Sequence, residues 1–219
     1  MNTPKVIFVD AVGTLFGVTG SVGKVYAEMA RQFGVTADAE ALNQAFFQHF
    51  KAAEPIAFPE IDQTQVPAQE YAWWKAIAEK TFRTVKQLEQ FEDFEAFFAE
   101  LYAYFAGADP WYVYSDTFQS LERWRALGIE LGVISNFDSR IYTVLDSLVM
   151  ADFFTSVTIS TEVGAAKPNP LIFATALKKH NCSASDAWHV GDSYAEDYEG
   201  AQAAGIRGIW LRRANDISE

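Results

Sequence analysis

Acidic and hydroxyl side chains close to the amino terminus are the first candidates for chemistry in this sequence. Asp10 comes directly after the apolar run Val6–Val9, and Gly13 and Thr14 lie just beyond it. A carboxylate at the end of a buried strand can act as a nucleophile toward phosphorus or carbon. Gly13 permits a tight turn, and Thr14 offers a hydroxyl and an N–H group to an anion. Taken alone, these residues would also suit an ordinary turn at the end of a strand.

A second acidic group follows the apolar run Ala187–Val190. Asp192 and Asp197 are five residues apart, on either side of the start of a predicted helix. Carboxylate oxygens grouped at a strand end suit Mg²⁺, which proteins usually bind through one or two carboxylates together with waters and substrate oxygens. The alternative for Asp197 is a structural role, as an acid that complements the dipole of a helix in its first turn.

Polar groups that could contact an anionic substrate occur at two further places. Ser135 and Asn136 end an apolar run, where they could contact an oxygen-rich group or cap a helix predicted over residues 138–148. Lys167 precedes Pro168, which favours an extended backbone at the lysine. Its ammonium could therefore offset negative charge in a cleft, or it could be a solvated surface lysine.

The apolar patterns predict a sheet that would bring these residues together. Runs typical of strands occur at Val6–Val9, Glu130–Ser135, Ser156–Ser160, Ala187–Val190 and Gly208–Leu211. Helical patterns lie between the later runs, and strands that alternate with helices predict an α/β fold with a Rossmann-like parallel sheet covered on both faces. Open α/β sheets bind ligands at the carboxyl ends of their strands, which is where the candidate residues lie.

Residues 17–112 interrupt this alternation of strands and helices. The segment shows no convincing strand, and its apolar residues fall at helical spacing, as in the series Val22, Tyr26, Met29 and Phe33. We therefore predict an all-helical domain at residues 17–112, inserted after the first strand. Residues 1–16 and 113–219 would then form the α/β core domain.

Composition excludes some classes of partner. The net charge of −12 over 219 residues argues against a general nucleic-acid or anionic-membrane surface. Cys182 is the only cysteine, so no intrachain disulfide forms, as expected in a reducing cytoplasm. The apolar run before Asp10 is too short for a signal peptide, and no run approaches the roughly 20 residues of a membrane span. We expect a cytoplasmic protein without nucleic-acid or membrane partners.

The strand-end groups, taken together and in this order, resemble the haloacid-dehalogenase-like (HAD) hydrolase superfamily over essentially the whole chain. One branch of that superfamily is favoured by Phe137-Asp138, by the pair Trp73-Trp74 and by Val12, which stands where a second acid would be expected two residues after Asp10. The resemblance implies that residues 17–112 form a cap over the core domain. It also implies a Mg²⁺-dependent phosphatase that acts on a small phosphorylated molecule.

The resemblance further implies a role for each candidate residue. Asp10 would be the nucleophile that forms an aspartyl-phosphate, and Lys167 would neutralise the charge of the nucleophile and the phosphate. Thr14 and Ser135 would bind phosphate oxygens, with Asn136 next to them.

The implied Mg²⁺ site combines residues from both acidic groups. Its ligands would be the carboxylates of Asp10 and Asp192 and the backbone carbonyl of Val12. Asp197 would be a further ligand or would orient a water molecule.

Val12 departs from the family pattern. The family phosphatases have an aspartate at this position, which protonates the leaving oxygen and then activates water on the aspartyl-phosphate. Val12 can do neither, although its backbone carbonyl can still bind a metal. General acid–base catalysis contributes about 10²- to 10⁴-fold, so we expect slow turnover of ordinary alkyl phosphates.

Other functions remain open at this point. A haloacid dehalogenase would need no metal but would need a cap arginine, for which Arg31 and Arg83 are not clear matches. A phosphonate hydrolase would need a cap lysine, and the candidates by type alone are Lys24, Lys51, Lys75 and Lys80. A module that binds a phosphorylated ligand or a protein without catalysis would explain Val12 directly. The pattern specifies neither the substrate nor the oligomeric state.

Overall fold

The computed structural model describes residues 3–213. Residues 1, 2 and 214–219, which belong to the predicted core domain, lie outside the described residues. The strands are β1 (Val6–Val9), β2 (Phe16–Val18), β3 (Trp111–Val113), β4 (Glu130–Ser135), β5 (Ser156–Ile159), β6 (Ala187–Gly191) and β7 (Arg207–Trp210). The α-helices are α1 (Val22–Gln32), α2 (Ala39–Ala52), α3 (Val66–Thr84), α4 (Phe94–Tyr104), α5 (Thr117–Ala126), α6 (Ile141–Ser147), α7 (Ser160–Val163), α8 (Pro170–Lys179) and α9 (Gly200–Ala203). None of the helices within residues 3–213 combines the length and the apolar composition that crossing a membrane requires.

Five of the described strands form a parallel sheet in the order β5-β4-β1-β6-β7, which we call the main sheet. β1 lies at its centre, where Val6 is level with Glu130 of β4 on one side and with Ala187 of β6 on the other. Every residue of β1 is buried, as is typical of a strand covered on both faces. The predicted α/β class is therefore confirmed.

The carboxyl ends of β1, β4 and β6 lie side by side. The strand register places Val9 level with Val133 on one side and with Val190 on the other. The chain forms β4 and β5 on one side of β1 before it crosses to form β6 and β7 on the other side. These ends therefore flank a topological switch point, where open α/β sheets bind ligands.

The chain divides into two compact units. The first contains the main sheet, and the second consists of residues Val18–Pro55 and Pro67–Tyr112. Residues Ile56–Val66 fall within the predicted insertion but group with the first unit. In that unit, Ser160 Oγ donates a hydrogen bond to the carbonyl of Ile56.

The second unit has an aromatic core built from α1, α2, α3 and α4. Phe82 of α3 lies among other rings, with centroid distances of 5.2 Å to Phe97 and 5.0 Å to Phe91. Other buried members of this core are Tyr26, Met29, Leu42, Phe46 and Phe98. These residues lie on one face of each helix, as the helical spacing in the sequence predicts.

Three local predictions are wrong. β2 and β3 form a separate two-stranded sheet, so the insertion is not entirely helical. These strands were not predicted because three residues are too few to show an alternating pattern. The helix predicted over residues 138–148 begins only at Ile141, because the Asp138 side chain accepts hydrogen bonds from the backbone and side chain of Arg140. The sequence pattern also predicts a helix at Glu196–Ala204, after Asp192, but the chain there forms a π-helical turn, Tyr194–Glu199, followed by α9.

Candidate active site

Lys167 connects two buried carboxylates at the carboxyl edge of the main sheet. Its Nζ lies 2.7 Å from Asp10 Oδ1 and 2.5 Å from Asp197 Oδ1, and the three side chains are at most 8% exposed. Burial disfavours the charged ammonium, but the two carboxylates outweigh that effect and raise the pKa of Lys167. Lys167 is therefore a permanent positive charge inside the site, not a solvated surface lysine.

The same surroundings act differently on each acid. Burial raises the pKa of Asp10, with Lys167 opposing the change. Burial also disfavours the charged form of Asp197, but the attraction of Lys167 and a hydrogen bond with His189 outweigh it and hold the pKa of Asp197 below its usual range. For Asp192, burial together with the charges of Asp10 and Asp197 raises the pKa to about 7.

The acids of the site fit a divalent cation. Asp10, Asp192 and Asp197 can each present a carboxylate oxygen within 4.8 Å of the others. Lys167 is a single positive charge among these three acids, and the charges of Asp10 and Asp197 add to burial in raising the pKa of Asp192. Grouped carboxylate oxygens are the ligands that Mg²⁺ prefers, because it is a hard cation. A bound cation would relieve the repulsion among these groups.

Two glycines make room for the carboxylates. Gly13 has a φ of 91°, and a Cβ atom there would lie 2.4 Å from Asp192 Oδ2. A Cβ atom on Gly191 would lie 2.1 Å from Asp197 Cγ. Neither distance is possible between non-bonded atoms, so any other residue at these positions would displace the carboxylates. Gly13 therefore serves close approach as well as the turn that its sequence context predicts.

The two hydroxyl groups predicted to bind phosphate contact carboxylates in this structure. Thr14 Oγ1 donates to Asp192 Oδ1 at 3.3 Å, and Ser135 Oγ donates to Asp10 Oδ1 at 3.1 Å. Both residues are buried. The main sheet therefore brings Thr14 and Ser135 to the same edge as the acids, and their contact with a phosphate stays a prediction.

Asn136 contacts the backbone of Lys167 through both ends of its amide. Asn136 Oδ1 accepts a hydrogen bond from the N–H of Lys167 at 2.6 Å, and Nδ2 donates to the carbonyl of Lys167 at 3.0 Å. Nδ2 also donates to Glu196 Oε2 at 3.1 Å. These bonds occupy both hydrogens of the amide, and they fix the segment that presents the lysine. The alternative reading of Ser135-Asn136 as a helix cap is wrong, because α6 begins at Ile141.

A family model described as "Hydrolase: haloacid dehalogenase-like hydrolase" matches residues 4–205. The chain belongs to this family. In chain order, Asp10 follows β1, Ser135 ends β4, Lys167 lies between α7 and α8, and Asp192 follows β6.

Relatives within the family agree with the branch that the sequence favours. The chain is 32% identical over 204 residues to haloacid dehalogenase-like hydrolase domain-containing protein 3 of Danio rerio, covering 93% of this chain and 83% of that protein. It is 35% identical over 101 residues to the glyceraldehyde 3-phosphate phosphatase of Methanopyrus kandleri, covering 46% of this chain and 43% of that protein. The resemblance to the branch of the Danio rerio protein is thus confirmed.

Solved structures of the family share the fold. A HAD phosphatase from Thermococcus onnurineus superposes with a TM-score of 0.62 at 21% identity, covering 98% of this chain and 89% of that one. The L-2-haloacid dehalogenase RSc1362 superposes with a TM-score of 0.74 at 18% identity, covering 100% of this chain and 90% of that one. Neighbours with different activities therefore confirm the HAD fold alone.

Within this HAD site, the structure also contains groups that the sequence did not single out for function. His189 lies in the middle of β6, and its Nε2 is 2.8 Å from Asp197 Oδ1. Glu196 is half-buried, and burial raises its pKa. The position of His189 within an otherwise apolar strand is a sequence feature that could have pointed to a functional role. Nothing in the sequence pattern distinguishes Glu196 from other acids. Val12 is half-buried beside Phe16, and metal binding through its carbonyl stays a prediction.

Proposed function

We propose that this HAD family member is a Mg²⁺-dependent phosphatase acting on a small phosphorylated molecule, with an activity weakened at Val12. The observation that carries the proposal is the pairing of buried Asp10 with the buried ammonium of Lys167, beside carboxylates that fit a divalent cation. The partial match to a sugar-phosphate phosphatase supports phosphate chemistry.

In this proposal Asp10 is the nucleophile. The side-chain hydrogen bonds from Lys167 and Ser135 both go to Asp10 Oδ1, so Oδ2 is the oxygen suited to attack phosphorus. The attack forms a bond between Asp10 and phosphorus and breaks the bond to the leaving oxygen, which departs with the electron pair. Lys167 offsets the negative charge that the phosphate brings close to Asp10.

The cation would be held by Asp10, Asp192 and Asp197, with the carbonyl of Val12 as a further ligand. When bound, Mg²⁺ supplies positive charge that lowers the repulsion between the phosphate and Asp10. Thr14 and Ser135 would donate hydrogen bonds to phosphate oxygens. Because its amide is engaged with Lys167, Asn136 would contribute to phosphate binding by holding that lysine.

Val12 determines which steps are slow. The leaving oxygen must take its proton from water, and water must hydrolyse the aspartyl-phosphate without a base at position 12. Loss of general acid–base catalysis costs about 10²- to 10⁴-fold. Acyl and aryl phosphates need protonation of the leaving group least, so they are the best substrates to reveal activity. Dephosphorylation of Asp10 then limits turnover.

The remaining assignments are proposals of the same kind. We propose that residues 17–112, most of them helical, act as the cap that selects the substrate, as lids do in enzymes that close over their reactants. The single cysteine and the negative net charge support a cytoplasmic protein that does not bind nucleic acid or membranes.

Turnover of acetyl phosphate and p-nitrophenyl phosphate, with Mg²⁺ and with EDTA, tests the proposal. We expect slow Mg²⁺-dependent release of phosphate that is abolished by Asp10→Asn. The exposed acid Asp146 lies outside the site, and Asp146→Asn is the matched control. Mg²⁺ binding without turnover of any phosphate would favour the non-catalytic binding module that Val12 suggests. Halide release without metal would instead establish a dehalogenase.

A further inference from the structure

His189 ends a chain of buried contacts that leads to the proposed nucleophile. Its Nε2 lies 2.8 Å from Asp197 Oδ1, and the same oxygen lies 2.5 Å from Lys167 Nζ. Lys167 Nζ then lies 2.7 Å from Asp10 Oδ1. His189 is fully buried in β6 and lies next to β1, the strand that Asp10 follows. Its hydrogen bond to Asp197 thus links the histidine to the site.

The direction of the hydrogen bond follows from its surroundings. Asp197 Oδ1 already accepts from the ammonium of Lys167, so His189 Nε2 carries the hydrogen and donates it. The other ring nitrogen, Nδ1, is buried without a hydrogen-bond partner among the described residues. The ring packs edge-on against Phe173 at a centroid distance of 5.4 Å. Asp197 is thus the polar group toward which the histidine is aimed.

We infer that His189 is a positioning residue that orients Asp197 for metal binding and for contact with Lys167. Asp197 Oδ2 accepts from the backbone N–H of Ser193 at 3.0 Å, and His189 adds a side-chain donor at Oδ1. Donors at both oxygens give the carboxylate a single orientation. Groups that hold metal ligands in this way typically contribute 10- to 100-fold to metal affinity. The inference rests on the proposed function, because it takes Asp197 to be part of the Mg²⁺ site.

The chain offers a matched set of variants. His189→Phe keeps a ring of similar size but removes the donor, whereas His189→Gln keeps an N–H donor. His180 is another buried histidine outside the site, and its ring nitrogens lie 2.6 Å from Glu130 Oε2 and 2.7 Å from Ser156 Oγ. His180→Phe therefore controls for the loss of a hydrogen-bonded buried histidine at a position remote from Asp197.

Metal affinity is the deciding measurement, made on the whole protein by titration with Mn²⁺ followed by electron paramagnetic resonance. We expect His189→Phe to weaken binding about 10- to 100-fold, while His189→Gln and His180→Phe stay within a few-fold of the parent protein. Equal affinity in His189→Phe, or an equal loss in His189→Gln, would overturn the positioning role. If the parent protein itself binds no Mn²⁺, the proposed function fails before the histidine is tested.

A second measurement covers the case in which His189→Phe does not fold. In the parent protein, ¹⁵N-edited NMR of the histidine rings should show an Nε2–H resonance of His189 that shifts when Mg²⁺ is added. The resonances of His180 should not move in the same titration, since that residue lies outside the site. A His189 resonance that is unaffected by Mg²⁺ contradicts the inference.

Discussion

Replacement of Lys167 by methionine should strongly destabilise the metal-free protein at alkaline pH. Methionine approximates the length of the lysine stem but leaves Asp10 and Asp197 without their shared ammonium. Asp10 keeps a hydrogen bond from Ser135, and Asp197 keeps one from His189. None of these remaining partners carries the permanent charge that Lys167 supplies.

The magnitude follows from the burial of the three side chains, which are at most 8% exposed. Removal of one partner from a buried ion pair costs about 3–5 kcal/mol, because the remaining charge has neither water nor a counter-ion. Here the single change removes the counter-ion of two buried carboxylates, Asp10 and Asp197. We therefore expect a loss of about 3–5 kcal/mol in the free energy of unfolding at pH 8.

The loss should depend on pH in a defined direction. Burial already raises the pKa of Asp10 in the parent protein, and without Lys167 that pKa rises further. When the pKa of an acid is higher in the folded state than in the unfolded state, the free energy of unfolding falls as the pH rises between the two pKa values. The variant should therefore be least stable at pH 8, and its deficit relative to the parent protein should shrink as the pH falls and the carboxyl group of Asp10 takes up a proton.

Urea unfolding followed by circular dichroism, at pH 5 and pH 8 with EDTA, measures this effect. EDTA is needed because a ligand at 100 times its Kd adds about 2.7 kcal/mol to the folded state. Lys75→Met is the control, since Lys75 forms exposed ion pairs in the second unit and such pairs contribute little. A Lys167→Met protein as stable as its parent at pH 8, or equally destabilised at both pH values, would refute the reasoning.

Three further changes test the site. Val12→Asp should raise turnover of alkyl phosphates by about 10²- to 10⁴-fold, and unchanged turnover on every phosphate ester would contradict the role assigned to position 12. Mg²⁺ should raise the melting temperature more at pH 8 than at pH 5.5, because the pKa of Asp192 is about 7 and metal ligands must be deprotonated; an equal shift at both values would count against Asp192 as a ligand. Gly13→Ala should weaken Mg²⁺ binding measured by calorimetry, because its Cβ would lie 2.4 Å from Asp192 Oδ2, whereas the exposed Gly34→Ala should leave that affinity unchanged.

The positions of the strands of the main sheet could be predicted from the sequence because buried parallel strands are continuous apolar runs. Val6–Val9 and Glu130–Ser135 have the same bounds in the sequence prediction and in the structure. The sequence pattern is weaker where side chains decide the local structure. Asp138 delays the start of α6 through its bonds to Arg140, and no periodicity contains that information.

The site was predictable residue by residue but not as a network. Parallel strand order brings the ends of β1 and β6 together, and with them Asp10 and the segment that carries Asp197. Lys167 reaches the same edge from the segment between α7 and α8. The hydrogen bonds of Asn136 and His189 depend instead on side-chain directions across elements far apart in sequence. A lone amide or histidine has many equally good partners until the fold is known.

The buried charges of Asp10, Lys167 and Asp197 help to distinguish a functional site from a purely structural ion-pair cluster. Buried ion pairs seldom stabilise a protein more than apolar side chains of similar volume would. A protein that used this edge only for folding would gain by replacing Asp10, Lys167 and Asp197 with such side chains. Val12 shows that an apolar residue is accommodated two positions after Asp10. The buried charges therefore support the proposed ligand site, and in that proposal Val12 affects the transfer of protons rather than the binding of the ligand.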